Sequence, residues 1–189
     1  MGFQRGFKSE SASTANEIRA ELKLGAFDAL DPFALAEWLE IPIVPLSDLV
    51  DGHREIRHLL DVEPEAFSAV TVFRGVERTI VHNDAHSPGR QNSNIAHELG
   101  HGLLLHPPTP ALDDSGCRDW NQDIEDEASW LAGNLLVAED ATLAIARGRW
   151  TKLEAAEHFA VSPQMIQFRL NATGAMKRVA RARANGYRR

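Results

Sequence analysis

The period of the apolar positions changes several times along this chain, and each change marks an element. Residues 1–12 are mostly polar and are expected to be a frayed, flexible N-terminus. Thr14-Ala-Asn-Glu17 then has capping-box spacing, and Ile18, Leu22 and Leu24 follow at near-helical intervals up to Gly25, which predicts a first helix of about ten residues. Asp31 before Pro32 supplies the N-cap and first-turn signals of a second helix carrying Phe33, Leu35, Ala36, Trp38 and Leu39. Ile41-Pro-Ile-Val44 reads as a short strand, placed at a sheet edge because Pro42 and Pro45 cannot donate to a ladder. Between 67 and 83, two runs rich in Val, Thr, Phe and Ile flank Gly75, the pattern of a hairpin.

Past Pro88 and Gly89 the helical period returns. Ile95, Leu99 and Leu103 form one buried row, and Pro107, Pro108 and Pro110 end that helix and open a loop over 107–121. Ile124, Ala128, Leu131, Ala132 and Leu135 make the apolar stripe of a further helix over about 122–137. Thr151 to Glu154 repeats the capping-box spacing and Ser162-Pro163 starts another turn, so residues 151–171 fit a helix-turn-helix with Phe159, Val161, Ile166 and Leu170 inside. The expected class is α+β, divided into a flexible stretch 1–12, a core 13–140, a helix-turn-helix-like helical subdomain 141–174 and a basic tail 175–189.

Composition narrows the chemistry. With 189 residues and 43% apolar content the chain can bury a sizeable core, and neither a run of about 20 apolar residues nor an N-terminal apolar block is present, so a soluble cytoplasmic protein is expected. Cys117 is the only cysteine, which excludes an intrachain disulfide and leaves His and carboxylates as the metal-binding side chains. The net charge of -7 conceals a basic end: Lys177, Arg178, Arg181, Arg183, Arg188 and Arg189 have no acid among them, so the body is more acidic than the total.

The most informative stretch is His97-Glu98-Leu99-Gly100-His101. On a helix the two histidines lie one turn apart and aim at one point, whereas Glu98 is rotated by about 100°, away from the first coordination shell but within reach of an attacking water. A catalytic metal needs a third protein ligand. Glu125 is favoured because it shares a face with Ala128 and Ala132, whose small side chains permit close approach of two helices; Glu127 lies at the edge of the stripe and is the rival. Gly100 and Gly102, unfavourable inside a helix, mark places where another backbone comes close. His82, His86, Arg90 and His106 are candidates for oxyanion or substrate contacts, and the strand 77–83 is a candidate for pairing with an extended substrate.

The run from Arg90 to His101, followed by Glu125-Asp-Glu-Ala128-Ser-Trp-Leu-Ala132, resembles the ImmA/IrrE family of zinc metallo-endopeptidases, and the resemblance extends from about residue 14 to 174. It implies a thermolysin-like zinc core in a cytoplasmic protein whose characterised relatives cleave a helix-turn-helix transcriptional repressor and so derepress genes. His97 and His101 match the family's ligand histidines, Glu98 its catalytic glutamate and Glu125 its third ligand. Ser129 stands where Asn or Asp is usual beside a ligand histidine, and Val137-Ala138 replaces a usual Met-Pro.

Two other readings stay open from sequence. Residues 151–189 are a candidate for DNA binding, although the second helix of the pair offers only Gln164, Gln167 and Arg169 to phosphates while the first carries Glu154 and Glu157. A catalytically idle zinc scaffold that binds a partner protein is the other.

Overall fold

A computed structural model describes residues 3–107 and 121–186. Pro108, Pro110, Cys117, Arg188 and Arg189 lie outside the described residues. In chain order the helices are α1 (Phe7–Glu21), α2 (Pro32–Trp38), α3 (Arg54–Asp61), α4 (Pro88–Leu103), α5 (Gln122–Leu136), α6 (Glu139–Ala146), α7 (Lys152–His158), α8 (Pro163–Thr173) and α9 (Ala175–Gly186). The strands are β1 (Ile43–Pro45), β2 (Ala69–Arg74) and β3 (Glu77–His82). Helices and one small sheet together make the α+β class expected.

The sheet order is β1-β3-β2. β1 runs parallel to β3 with Val44 opposite Val81, and β2 runs antiparallel to β3 with Thr71 opposite Ile80. The proline-flanked β1 therefore lies at an edge, as its residues require. β3 is central, however, so the proposed substrate strand 77–83 has both sides occupied; β2, six residues long, is the other edge strand among the described residues.

α4 lies against α5, and the contact is close because α4 has no side chain where the two cross: a Cβ built on Gly100 meets the Ala128 carbonyl oxygen at 2.8 Å. The sequence-based inference about Gly100 identifies a backbone neighbour correctly. Gly102 differs, since its Cβ would meet the tip of the Arg78 guanidinium, also at 2.8 Å. The start of α4 is fixed by a second close approach, at Gly89, where a Cβ would lie 2.8 Å from the Val161 carbonyl carbon, and Asn92 donates to the Ala160 carbonyl at 2.8 Å.

One cluster of buried residues runs from Ala15 through Leu99, Leu131 and Phe159 to Ala175. Residues 3–12 belong to this body rather than to a frayed end. α1 begins at Phe7, seven residues before the expected capping box, Phe3 and Phe7 stack at 5.1 Å, and Phe3 meets the Trp130 ring edge at 5.1 Å. Thr14 to Glu17 sits mid-helix, where its spacing has no capping role. A boundary between residues 140 and 141 cuts the first turn of α6, and the basic segment is helical over 175–186 with Ala175 and Val179 buried.

Two buried guanidinium groups tie these layers together. Arg19, 2% exposed, donates to the carbonyls of Leu135 at 2.6 Å, Gly25 at 2.6 Å and Asp28 at 2.5 Å. Arg169, fully buried, donates to the Val137 carbonyl at 2.9 Å and to Asn134 at 2.5 Å, and Asn134 donates to Ser11 at 2.9 Å. Burial pushes Arg169 down to about 10, which leaves it charged at neutral pH. The residue considered as a phosphate contact thus faces the interior.

The Gly100 contact yields the first prediction. Gly100→Ala should lower stability by about 1–3 kcal/mol, because the added methyl must push two backbones apart and this outweighs the gain in helix propensity of about 1 kcal/mol. Gly102→Ala should be near neutral, since the end of the Arg78 side chain can move. Urea unfolding of both variants tests the pair; equal losses would contradict the assignment of Gly100 as the crossing point.

Candidate active site

α4 starts at Pro88 in its first turn and carries His97 and His101 on the face toward α5. α5 is capped by Asn121, whose side chain accepts from the amides of Asp123 at 3.2 Å and Ile124 at 3.5 Å, and its first two turns deliver Glu125. The crossing at Gly100 brings the three side chains together: His97 Nε2 lies 3.1 Å from Glu125 Oε2 and 3.1 Å from His101 Nε2, and His101 Nε2 lies 3.7 Å from Glu125 Oε2. Among the described residues these three form the group able to offer converging ligand atoms to a metal ion.

The spacing fits such an ion. Donors about 2.0–2.1 Å from a tetrahedral centre stand about 3.3–3.4 Å from one another, inside the range spanned by the three separations here. Protonation suits it too. Burial, helped by neighbouring His97 and opposed by Glu125, lowers His101 to about 4, so its imidazole is neutral at physiological pH, the form that binds metal. Side-chain exposures of 26%, 21% and 23% for His97, His101 and Glu125 leave the group open to a cleft.

Each ligand histidine has an outer partner. Ser129 Oγ lies 3.2 Å from His97 Nδ1, so serine supplies the contact for which the resemblance has Asn or Asp at this position. His106 Nδ1 lies 3.0 Å from His101 Nδ1, and His106 Nε2 lies 3.3 Å from Glu127 Oε2. His106 is thereby part of the site, but with both ring nitrogens engaged it is not the oxyanion donor expected. Glu127, the rival ligand, stands behind His106 and not in the cluster. Glu98 accepts a hydrogen bond from Thr71 Oγ1 at 2.6 Å. Sequence reading missed Thr71, because a threonine in a strand carries no signal beyond β propensity.

The other candidates are elsewhere. His82 is 3% exposed, its ring meets Phe33 edge-on at 5.6 Å, and it does not line the cleft. His86 contacts the Pro64 carbonyl at 2.9 Å and accepts from Asn94 at 3.2 Å, which fixes a loop. Arg90 pairs with Glu65 and donates to Ser68 at 3.3 Å. These are structural roles that spacing along the chain cannot separate from catalytic ones.

The cleft has a volume of about 1130 Å³. Ala69 to Phe73 of β2 form one wall, His97, Glu98 and Glu125 the floor, and Met165 and Phe168 of α8 reach its rim. Two histidines one helical turn apart, two carboxylates and a sheet-edge strand around one cleft belong to the chemistry of the metallopeptidase-like domains. The chain is a member of the M78 peptidase family: the family model described as the IrrE N-terminal-like domain matches residues 52–171, more than half of its length. That match takes in the hairpin, α4 and α5 and nearly all of the α7–α8 pair, and leaves out α1, α2, β1 and α9. No curated protein matches the sequence. Among the described residues no helix is long and apolar enough to cross a membrane.

His82 gives a prediction about pH. Burial, the largest influence, and His86 lower its pKa, while Asp84 opposes them. A histidine depressed in the folded state contributes its full stability above the unfolded value of about 6.5, and that contribution is lost as pH falls toward the lower folded value. Metal-free wild-type protein should therefore lose stability between pH 7 and 5 faster than metal-free His82→Leu, as read by urea unfolding across that range. Parallel curves would show that His82 is not the titrating group.

Proposed function

We propose that the protein is a zinc-dependent endopeptidase with a thermolysin-like core, acting in the cytoplasm on a protein substrate. A helix-turn-helix transcriptional repressor, cleaved so as to derepress stress or mobile-element genes, is the substrate class that family membership favours. The observation that carries the reading is the convergence of His97, His101 and Glu125 beside a non-ligand carboxylate, Glu98, in an open cleft.

Two imidazoles and one carboxylate are a donor set suited to zinc with a position left for substrate. Zinc bound there supplies Lewis-acid polarisation of the scissile carbonyl and acidifies the attacking water. The remaining work falls to the protein. Glu98 takes the proton from the attacking water and passes it to the leaving amine as the C–N bond breaks, so one carboxylate serves as base and then as acid. Thr71 holds Oε2 of that carboxylate and leaves Oε1 for the water. An extended substrate lies along β2, whose outer edge no described strand occupies and whose residues Ala69 to Phe73 line the cleft. The α7–α8 pair serves packing and protein recognition more readily than DNA binding, because Arg169 is internal and Glu154 is held in its capping box.

Two experiments test this. Metal analysis of the purified protein should find about one zinc per chain, and His97→Ala, His101→Ala and Glu125→Ala should each lower it. Retention of zinc in Glu125→Ala would remove Glu125 as the third ligand. Glu98→Gln should keep zinc and fold normally while cleavage of a cognate repressor falls by at least about 100-fold. Wild-type cleavage rates in Glu98→Gln would exclude Glu98 as the base, and binding of the repressor without cleavage by either form would favour the scaffold reading.

A further inference from the structure

Behind His101, on the side away from the cluster, the structure holds a second histidine and a second carboxylate in line. His101 Nδ1 to His106 Nδ1 is 3.0 Å, and His106 Nε2 to Glu127 Oε2 is 3.3 Å. The His106 side chain is 9% exposed, far less than the three ligand candidates. We propose that His106 and Glu127 are positioning residues that fix the tautomer and orientation of His101 through a directed hydrogen-bond relay. This rests on the metal-site reading of His97, His101 and Glu125.

The direction follows from donor counting. His101 offers Nε2 toward His97 and Glu125, so in a metal-binding state its proton resides on Nδ1. That N–H must then donate, and the atom facing it is His106 Nδ1, which can accept only if unprotonated. A neutral His106 with a bare Nδ1 carries its proton on Nε2, and Nε2 faces Glu127, an acceptor. One choice at His101 therefore sets both other protons, and every link has one donor and one acceptor. The line ends on a carboxylate, which makes the His101 imidazole a better electron donor.

Local backbone geometry supports the same role. α4 ends in a left-handed turn in which His106 N donates to the His101 carbonyl at 3.0 Å and Leu105 N donates to the Gly102 carbonyl at 3.2 Å. The residue in left-handed conformation is Leu105, with φ 55°, at a position glycine usually fills. The turn folds His106 back under the ring of His101, with centroids 5.1 Å apart. On α5, Glu125 and Glu127 differ by about 200° of rotation, so one reaches the cluster directly and the other only through His106.

The experiment uses the full chain and zinc itself as the probe. Competition titration with a chelator should give His106→Phe a 10- to 100-fold weaker zinc affinity than wild type and Glu127→Gln a smaller loss. In the double variant Glu127→Gln should add nothing to His106→Phe, because its effect passes through that ring. Nitrogen-15 spectra of the zinc-loaded wild type should show protons on His101 Nδ1 and His106 Nε2. Circular dichroism of the metal-free variants separates weak binding from misfolding, and the wild-type spectra decide the tautomers without any variant. Unchanged affinity in folded His106→Phe, additive losses in the double variant, or a proton on His106 Nδ1 would each overturn the relay. Failure of wild type to bind zinc would instead overturn the metal-site reading and take the relay with it.

Discussion

The site depends on how closely two helices approach. Glu125 and the histidines come from segments 24 or more residues apart in sequence, and they meet because α4 has only a hydrogen at Gly100 where the Ala128 carbonyl presses in. Small side chains at Ala128 and Ala132 keep the crossing narrow, and Ile95, Leu99, Leu131 and Leu135 bury the surrounding surface. Burial and approach act together. The packing that holds the helices close also removes water from His101 and keeps its imidazole neutral, so a mechanical constraint becomes an electrostatic one.

Around that crossing the protein relies on buried cations and short polar links. Arg19 fastens α1 and the loop after it to the end of α5, and Arg169 joins α8 to the same helix through Asn134 and Val137. α5 is thus held from two sides by guanidinium groups that satisfy helix-end or loop carbonyls. Phe3, stacked on Phe7, meets Trp130 on a third. A helix that carries a ligand candidate near its start is in this way tied to its neighbours at its middle and far end.

Much of this was legible in the sequence, for identifiable reasons. The His97–His101 helix, the hairpin about Gly75, the α5 stripe and the two capped helices near the C-terminus all carry periodicity or capping signals that local chemistry enforces. What was misread depends on partners distant in the chain. α1 extends seven residues further toward the N-terminus because Phe7 and Ser11 bury against α5, which no local pattern announces. The order of strands in the sheet, which makes β3 central and β2 an edge, is a tertiary fact, as is the inward turn of Arg169. Of the polar residues near the motif, His106 entered the site and His82 and Arg90 did not. Sequence proximity gave equal weight to all three, whereas the left-handed turn at Leu105 selected one.

The open strand edge has a cost that concerns the protein's behaviour at high concentration. Along the outer side of β2, which no described strand pairs with, a row of amides and carbonyls next to exposed Val72, Phe73 and Val76 is as good a template for another copy of the same strand as for any extended peptide. Self-association along this edge would hide the cleft and silence the site without any change in its chemistry. Arg74 is the one charged residue of β2, and it stands opposite Glu77 of β3, so the edge strand carries little charge of its own to oppose such pairing. The edge that would take up an extended peptide is thus equally open to its own kind, and Arg74, at the end of β2, is where a change of charge would bear on that balance.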